Sequence, residues 1–248
     1  MKERRQYPFC ANETCLIRGI AADEQDNIYF AYDFGISKIN TRTGEQNIFR
    51  VNLPIKITAA YSLTYFNGKL YFNDFEIDIK TGKGKLLVKG ESAGKRTHYI
   101  DKRTGRMWLS DSYWNKEIAI YEYNFDKNKV DTIGTILKPL NGQNQVSQFH
   151  FSPTTNTLFM ATLGNGLCEI DAKGNIQQFI TAEKSQTKAD SIIITYSIYE
   201  DDKQQLWIGH NSGLSRLDLK TRTFTKTAHK GNFTKQVYSI QAENKTAC

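Results

Sequence analysis

A pattern of four short apolar segments, separated by turn residues, recurs along the sequence. In its clearest copies, residues 17–23 and 196–202 each read as a strand that ends at an acidic turn. A second strand, a glycine-bearing loop, a third strand, a polar turn and a short fourth strand follow. The second strands carry the aromatic residues Tyr29, Tyr71, Trp108, Phe159 and Trp207. Subtracting these numbers gives spacings of 42, 37, 51 and 48 residues, a period typical of propeller blades.

The repeat predicts an all-β protein, a β-propeller of four-stranded antiparallel blades. A single such sheet has two apolar faces, and arranging several sheets around an axis covers each face with a neighbour. The chain is predicted to be one domain or fragment, 1–248, with five complete blades and the start of a sixth. The blades are predicted at 16–50, 58–90, 96–137, 145–181, 195–227 and, in part, 235–248.

The incomplete last copy leaves two interpretations of the blade count. Residues 237–244 repeat an opening strand, and Cys248 comes just before the expected aromatic residue of a second strand. Either the sequence is a truncated, seven-bladed propeller, or this strand pairs with the N-terminal segment to close a smaller ring. A helical period is scarce, and its best candidate, 181–191, is a polar connection between blades.

Charge and cysteine content argue against several functional classes. The net charge is +7, but the Lys and Arg residues are scattered over turns, which disfavours a nucleic-acid interface. No stretch is long enough to cross a membrane, and the first seven residues lack the apolar core of a secretion signal. Cys10, Cys15, Cys168 and Cys248 form no CxxC pair and have no histidine at ligand spacing, so neither a metal site nor a cofactor is predicted. Cys10 and Cys15 are either free thiols or, in an oxidising compartment, a small disulfide.

The fifth copy, residues 197–224, resembles the two-component-regulator propeller repeat. That family's pattern is Ile-x-x-Asp, then Leu-Trp-Ile-Gly, then Gly-Leu-Ser-Arg-Leu-Asp, then a turn and Phe. The matching residues are Ile198, Asp201, Leu206, Trp207, Ile208, Gly209, Gly213, Leu214, Ser215, Leu217, Asp218 and Phe224. The first copy matches at Asp23, Ile28, Tyr29, Gly35, Ile36, Ser37, Ile39 and Asn40, whereas Tyr29 replaces the family's Trp and Ala31 its Gly.

This resemblance implies a non-enzymatic sensor. In the family, such propellers are the periplasmic sensor region of hybrid two-component histidine kinases that detect polysaccharide breakdown products. It implies a periplasmic location, an oligosaccharide ligand, and a second propeller or a downstream sensor domain as partner, with a homodimer as a further expectation. The kinase activity would lie outside this chain.

The predicted ligand-binding residues lie mainly in the loops between second and third strands, because loops on a rigid scaffold often carry binding sites. Aromatic rings stack on the CH groups of a sugar, while Asp and Asn bind its hydroxyls. The candidates are Tyr32, Asp33, Asp74, Asp111, Tyr113, Trp114, Asn165, His210 and Asn211. Residues 111–115 are the richest insertion. Ordinary loop polarity is the alternative explanation of the same residues.

Catalysis has little support in the sequence, and no catalytic residue is predicted. The four histidines fall on different predicted blades, and none lies in a nucleophile motif. The alternative is a metal-dependent propeller enzyme resembling streptogramin lyases, for which His150 and His210 are the candidates. A second alternative is a protein-binding scaffold, which an exposed apolar patch would indicate.

Overall fold

The structure is a computed structural model that describes residues 17–32, 35–55, 62–114, 116–137, 139, 142–171, 173–178, 194–226 and 236–241. These residues contain β-strands and no helix, so the prediction of an all-β protein is confirmed. Within them, no helix has the length and apolarity needed to cross a membrane. The predicted disulfide partners Cys10 and Cys15 lie outside the described residues. The chain divides into two compact units, with the boundary between Gly105 and Arg106.

The first unit contains two antiparallel sheets of four strands each, and each sheet follows the chain order. The first sheet consists of β1 (Ile17–Ala22), β2 (Asn27–Tyr32), β3 (Gly35–Asn40) and β4 (Gln46–Phe49). The second consists of β5 (Leu63–Phe66), β6 (Lys69–Phe72), β7 (Phe75–Asp78) and β8 (Gly84–Leu86). The last strand of this unit is β9 (Thr97–Asp101).

The second unit contains twelve strands among its described residues. β10 (Arg106–Ser110), β12 (Ile118–Asn124) and β13 (Lys129–Ile136) lie in one sheet. β11 (Ser112–Trp114), β14 (Gln143–Ser152), β15 (Thr157–Thr162), β16 (Leu167–Ile170) and β17 (Ile176–Gln178) form a five-stranded sheet. β18 (Thr195–Glu200), β19 (Gln205–His210), β20 (Gly213–Asp218) and β21 (Phe224–Lys226) form another. Because the unit boundary falls inside the predicted blade 96–137, the single-domain boundaries stay a prediction.

The turn from first to second strand is organised by an aspartate. The Asp201 carboxylate accepts hydrogen bonds from the backbone N–H groups of Lys203 (3.0 Å) and Gln205 (2.9 Å). It also accepts the indole N–H of Trp207 at 2.8 Å. Asp23 accepts the equivalent bonds from residues two and four positions on, and the Tyr29 hydroxyl donates to it at 3.1 Å. The Asp and the aromatic residue therefore form one local unit, which explains why the two recur together in the sequence.

The turn from third to fourth strand uses the same chemistry. The Asp218 carboxylate accepts the N–H groups of Lys220 (2.9 Å) and Thr221 (2.8 Å). These bonds, together with the Gln205 side chain, lower the pKa of Asp218 to about 2. Asp78 makes the same two backbone bonds to the residues two and three positions on. Asx turns of this kind form from local sequence alone, which makes these hairpins predictable.

First strands of consecutive sheets lie side by side within each unit. In the first unit, β1 contacts β5, and a Cβ added to Gly19 would lie 2.8 Å from the Leu63 Cβ. In the second unit, β14 contacts β18, and the Gln148 side chain exchanges hydrogen bonds with the Ile198 backbone, donating to its carbonyl at 3.1 Å and accepting its N–H at 3.0 Å. Each pair of sheets encloses an apolar core. One core contains Tyr29, Ile36, Leu70 and Phe72, and the other contains Phe159, Leu167, Leu206 and Ile208.

The segment predicted to open a sixth repeat is described in part, at 236–241, and no strand is assigned there. It lies against the last sheet: the Val237 N–H donates to the His210 carbonyl at 3.2 Å, and the rings of Tyr196 and Tyr238 are 4.5 Å apart. A Cβ added to Gly209 would lie 2.5 Å from the Val237 carbonyl oxygen, so the close approach of this segment requires a glycine.

His98 lies in a buried polar cluster of the first unit. Its Nδ1 is 2.5 Å from the Asn73 carbonyl oxygen, and its Nε2 is 3.0 Å from the Thr64 hydroxyl. Because the carbonyl can only accept, Nδ1 carries the proton and Nε2 accepts from Thr64. Burial lowers the pKa of His98 to about 4 from its ordinary 6.5. The folded protein therefore holds a neutral imidazole at neutral pH.

Acid is expected to destabilise the first unit through His98. Below pH 6.5 the unfolded chain binds a proton that the folded chain takes up only near pH 4, so the free energy of unfolding should fall across this window. The fall should reach about 3 kcal/mol. Urea denaturation of wild type and His98→Gln between pH 7 and about pH 4 measures it. The wild-type curve should be steeper, and parallel curves would show that His98 is not the responsible group.

Candidate ligand-binding surface

The predicted loop 111–115 contains a strand. Residues Ser112–Trp114 form β11, which pairs antiparallel with β14, so that Tyr113 faces Asn144 and Trp114 faces Gln143 in the register. β11 therefore adds an edge strand to the neighbouring sheet. A pair of ladder-bonded strands is a more rigid platform than a loop, because its backbone groups are fixed by hydrogen bonds.

A network of side-chain amides holds the elements around β11 together. The Asn144 Nδ2 group donates to the carbonyl oxygens of Lys116 and Leu137, both at 2.9 Å. The Asn165 Nδ2 group donates to the Asn144 Oδ1 at 3.1 Å, and Asn165 Oδ1 accepts from Gln178 at 2.7 Å. Asn165 is buried. Its amide is therefore used inside the protein, where it positions the surface above it.

An aromatic surface lies on this support. The Trp114 side chain is 68% exposed and Leu137 is 65% exposed. The Lys116 ammonium lies 5.2 Å from the centre of the half-buried Tyr113 ring, within the range of a cation–π contact. We call Tyr113, Trp114, Lys116 and Leu137 the β11 surface. Within it, Trp114 offers an exposed apolar ring face that can stack on the CH groups of a ligand, and Lys116 adds a cationic group over the Tyr113 ring.

Two predicted carboxylates are occupied by internal contacts. Asp111 is buried, and its Oδ2 accepts the Tyr121 hydroxyl at 3.0 Å. In the first unit, Asp74 is fully buried and forms an ion pair with Arg96, with Nη1 2.7 Å from Oδ2. The Gly94 N–H donates to the other Asp74 oxygen at 2.8 Å. Burial raises the pKa of the Asp74 carboxyl, and the contacts with Arg96 and Gly94 oppose that shift.

His210 and Asn211 lie at the end of β19. His210 is fully buried, with Nε2 2.9 Å from the Ser215 hydroxyl and Nδ1 accepting the Ser212 N–H at 3.1 Å. Asn211 is half-buried, and within the described part of the chain its buried Oδ1 has no hydrogen-bond partner. Its backbone N–H donates to the Ile194 carbonyl at 3.0 Å.

The remaining predicted site residues belong to the first unit. Tyr32 is half-buried at the end of β2, where it pairs with Gly35. Asp33 lies outside the described residues. The structure thus brings Tyr113, Trp114 and Asn165 together through Asn144. Sequence reasoning missed Asn144, Lys116 and Leu137, although a lysine two positions after Trp114 was a usable signal.

The two histidines proposed for an enzyme have separate surroundings. The His150 Nε2 lies 2.7 Å from the Glu200 Oε2, and the Ser152 hydroxyl donates to the other oxygen of Glu200 at 3.1 Å. This pair joins β14 to β18, whereas His210 is bonded within its own sheet. In the described ranges, no three His, Cys, Asp or Glu side chains are grouped as metal ligands.

No protein-family model matches the chain, and no curated protein matches it in sequence. Solved structures do share its fold. Two crystal structures described as extracellular domains of hybrid two-component systems from Bacteroides thetaiotaomicron align with TM-scores of 0.60 and 0.61, at 15% and 14% identity. The alignments cover 81% and 84% of this chain but only 27% and 29% of those chains. This chain therefore spans less than a third of their length.

An enzyme also shares the fold. A luciferin-regenerating enzyme aligns with a TM-score of 0.50 at 13% identity, over 82% of this chain and 72% of its own. At such low identities, the likeness shows a common fold and leaves function to the residues of the site.

Proposed function

We propose that this chain is the ligand-binding part of a periplasmic sensor in a bacterial two-component system, and that it binds an oligosaccharide without chemical conversion. The observation that carries the proposal is Trp114, a large aromatic side chain exposed on a paired strand. The extracellular sensor domains with the same fold support the signalling role.

The β11 surface suits a sugar for a physical reason. The apolar Trp114 ring can cover the CH face of a pyranose, and polar groups near the ring can bind its hydroxyls. Because β11 is held by Asn144 and by pairing with β14, little ordering entropy is lost when a ligand binds. Of the predicted residues, Trp114 would contact the ligand directly, Tyr113 would support the strand from its other face, and Asn165 would hold Asn144 in place.

We also propose that the complete protein is a β-propeller with five blades in this chain and further repeats beyond it. The register places Ile20 and Ile48 on one face of the first sheet, in line with Phe30. Ile20 is 67% exposed and Ile48 is 59% exposed. An apolar sheet face of this kind needs a cover, and another four-stranded repeat supplies one. A second propeller, a downstream sensor domain or a homodimer are the proposed partners of the complete protein.

Replacing Trp114 by alanine is expected to abolish oligosaccharide binding while leaving stability unchanged. The purified chain would be titrated calorimetrically with oligosaccharides from xylan, pectin, β-glucan and starch digests. A ligand that binds wild type should bind Trp114→Ala at least about tenfold more weakly, because the stacking surface is lost. Asp126→Ala, on the turn between β12 and β13, is the control. A panel in which no sugar binds wild type, or binding that survives the Trp114 change, would contradict the proposal.

The proposed role in a two-component system can be tested separately from oligosaccharide binding. The gene downstream of this sequence should encode a membrane-spanning helix followed by a histidine kinase. The exposed Leu137 side chain also fits a protein partner. If the β11 surface binds a protein instead, Leu137→Ser should abolish binding of that protein. In that case, adding sugars should leave the fluorine NMR signal of 5-fluorotryptophan at position 114 unchanged.

A further inference from the structure

A cleft of about 390 Å³ lies within the second unit, and the predicted site residues do not line it. One wall comes from the sheet of β10, β12 and β13, and the other from the sheet of β14 to β17. Ile133, Leu158 and Ile170 supply apolar surface to these walls. Its volume falls within the range of pockets that hold small organic ligands.

Two glycines set the distance between these walls. A Cβ added to Gly134 would lie 2.9 Å from the Cδ1 atoms of Ile170 and Ile176, so these side chains of one sheet pack directly on the Gly134 backbone of the other. Gly174 has a φ of +84°, and a Cβ there would lie 3.1 Å from the Ile133 carbonyl oxygen. At Gly134 and Gly174, the backbone of one wall of the cleft therefore lies in close contact with the other wall.

Arg106 is held in place at the cleft by three contacts. Its Nε is 2.7 Å from the Glu122 Oε1. Its guanidinium carbon lies 4.7 Å from the Trp108 ring centre and 4.8 Å from the Phe151 ring centre. The two rings are stacked 5.2 Å apart. A guanidinium carries five N–H donors, and among the described residues no acceptor is bonded to its Nη groups.

The cleft contains a second cationic side chain, Lys173, whose hydrogen-bond donors are unused among the residues that the structure describes. Asp171 accepts the N–H groups of Lys173 (2.8 Å) and Asn175 (3.0 Å), so its carboxylate is occupied by its own turn. Glu122 is occupied by Arg106. Lys173 is exposed, and the described part of the chain provides no hydrogen-bond acceptor for its ammonium. The carboxylates of the cleft are therefore already paired, while Arg106 and Lys173 retain donors.

We propose that this cleft binds a small organic molecule bearing one carboxylate and an apolar or ring-shaped body. A carboxylate fits the Nη fork of Arg106, which favours bidentate pairing, and Lys173 adds a second charge-assisted hydrogen bond. The apolar walls take the body of the ligand. Arg106, Lys173, Glu122 and Asp171 sum to zero charge, so directed hydrogen bonds hold the ligand and added salt should weaken binding only slightly. This site is independent of the oligosaccharide proposal.

Fluorine NMR of the chain labelled with 5-fluorotryptophan tests the site. The three tryptophans, at positions 108, 114 and 207, give separate signals. Millimolar glucuronate and phenylacetate would each be compared with the neutral analogues glucose and phenylacetamide. We expect at least one carboxylate to shift the Trp108 signal and the neutral partner to leave it unchanged. A response to glucuronate identifies a sugar acid, and a response to phenylacetate an organic acid. Trp114, which reports the β11 surface, separates this result from the proposed function.

Matched variants assign the response to the cleft. Arg106→Gln should weaken carboxylate binding by about tenfold, and Lys173→Gln, an exposed turn change that should not affect folding, by a few-fold. Arg216→Gln removes an arginine that lies over Trp207, outside the cleft, and should have no effect. Equal shifts with the neutral analogues, shifts with inorganic phosphate alone, or full binding by Lys173→Gln would overturn the proposal, as would a Trp108 signal unaffected by either carboxylate.

Discussion

Asp74→Asn is expected to lower the free energy of unfolding of the first unit by about 3–5 kcal/mol. Asp74 is 0% exposed and its partner Arg96 is 1% exposed. The Arg96 guanidinium also donates to the Val88 carbonyl at 2.8 Å, so it cannot leave the interior without breaking other bonds. The substitution strands a buried positive charge, and the cost of that charge is the physical reason for the loss. Urea denaturation measures it.

Two comparisons distinguish the cost of a stranded buried charge from the cost of losing the attraction between two charges. Asp26 and Arg42 form an exposed ion pair in the same unit, at 2.5 Å, and Asp26→Asn should cost less than about 1 kcal/mol. Replacing Asp74 by leucine and Arg96 by methionine together should cost less than Asp74→Asn alone, because no buried charge remains. If Asp74→Asn costs no more than Asp26→Asn, the ion pair is not buried as described.

Trp108→Ala should lower the free energy of unfolding of the second unit by about 3–5 kcal/mol. The side chain is 1% exposed and stacks on Phe151, with the Arg106 guanidinium over both rings. Truncation removes the apolar contacts, leaves a cavity, and takes away the support of the Arg106 side chain. Thermal and urea denaturation would report the loss, and carboxylate binding in the cleft should disappear with it.

Trp114→Ala is the matched control, six residues away in the same unit. Because Trp114 is mostly exposed, its removal should change the free energy of unfolding by less than about 0.5 kcal/mol. The two substitutions should thus have different effects: Trp108→Ala should lower stability, and Trp114→Ala should weaken sugar binding. A large stability loss in Trp114→Ala would mean that this side chain is covered in solution, and the β11 surface would then not be available to a ligand.

Of the predicted ligand contacts that the structure describes, the two carboxylates have internal partners. Asp74 pairs with Arg96, and Asp111 accepts the hydroxyl of Tyr121. Among the candidates within the described ranges, the exposed one is the aromatic residue Trp114. Loop position and polarity alone could not distinguish these cases, because a polar side chain in a loop can serve either a ligand or a buried backbone and side-chain partner.

The strands and their turns could be predicted from the sequence because the interactions that form them are local. Asp201 accepts its hydrogen bonds from residues two, four and six positions on, and Asp218 from residues two and three positions on. Such bonds are encoded within one short segment, and so is the alternation of apolar and polar residues along each strand. The four-strand repeat therefore determined the all-β class and the chain-order pairing of strands such as β1 to β4, β5 to β8 and β18 to β21, but not the pairing of β11 with β14.

The tertiary structure alone decided which side chains are available for binding. Arg96 meets Asp74 from 22 positions away, and Phe151 meets Trp108 from 43 positions away, by subtraction of their numbers. Pairing with β14 makes the insertion after β10 a strand, and the cleft beside Arg106 exists only where two sheets face each other. These contacts join residues that lie far apart in the chain. No local pattern specifies them, since burial and pairing depend on the packing of whole sheets.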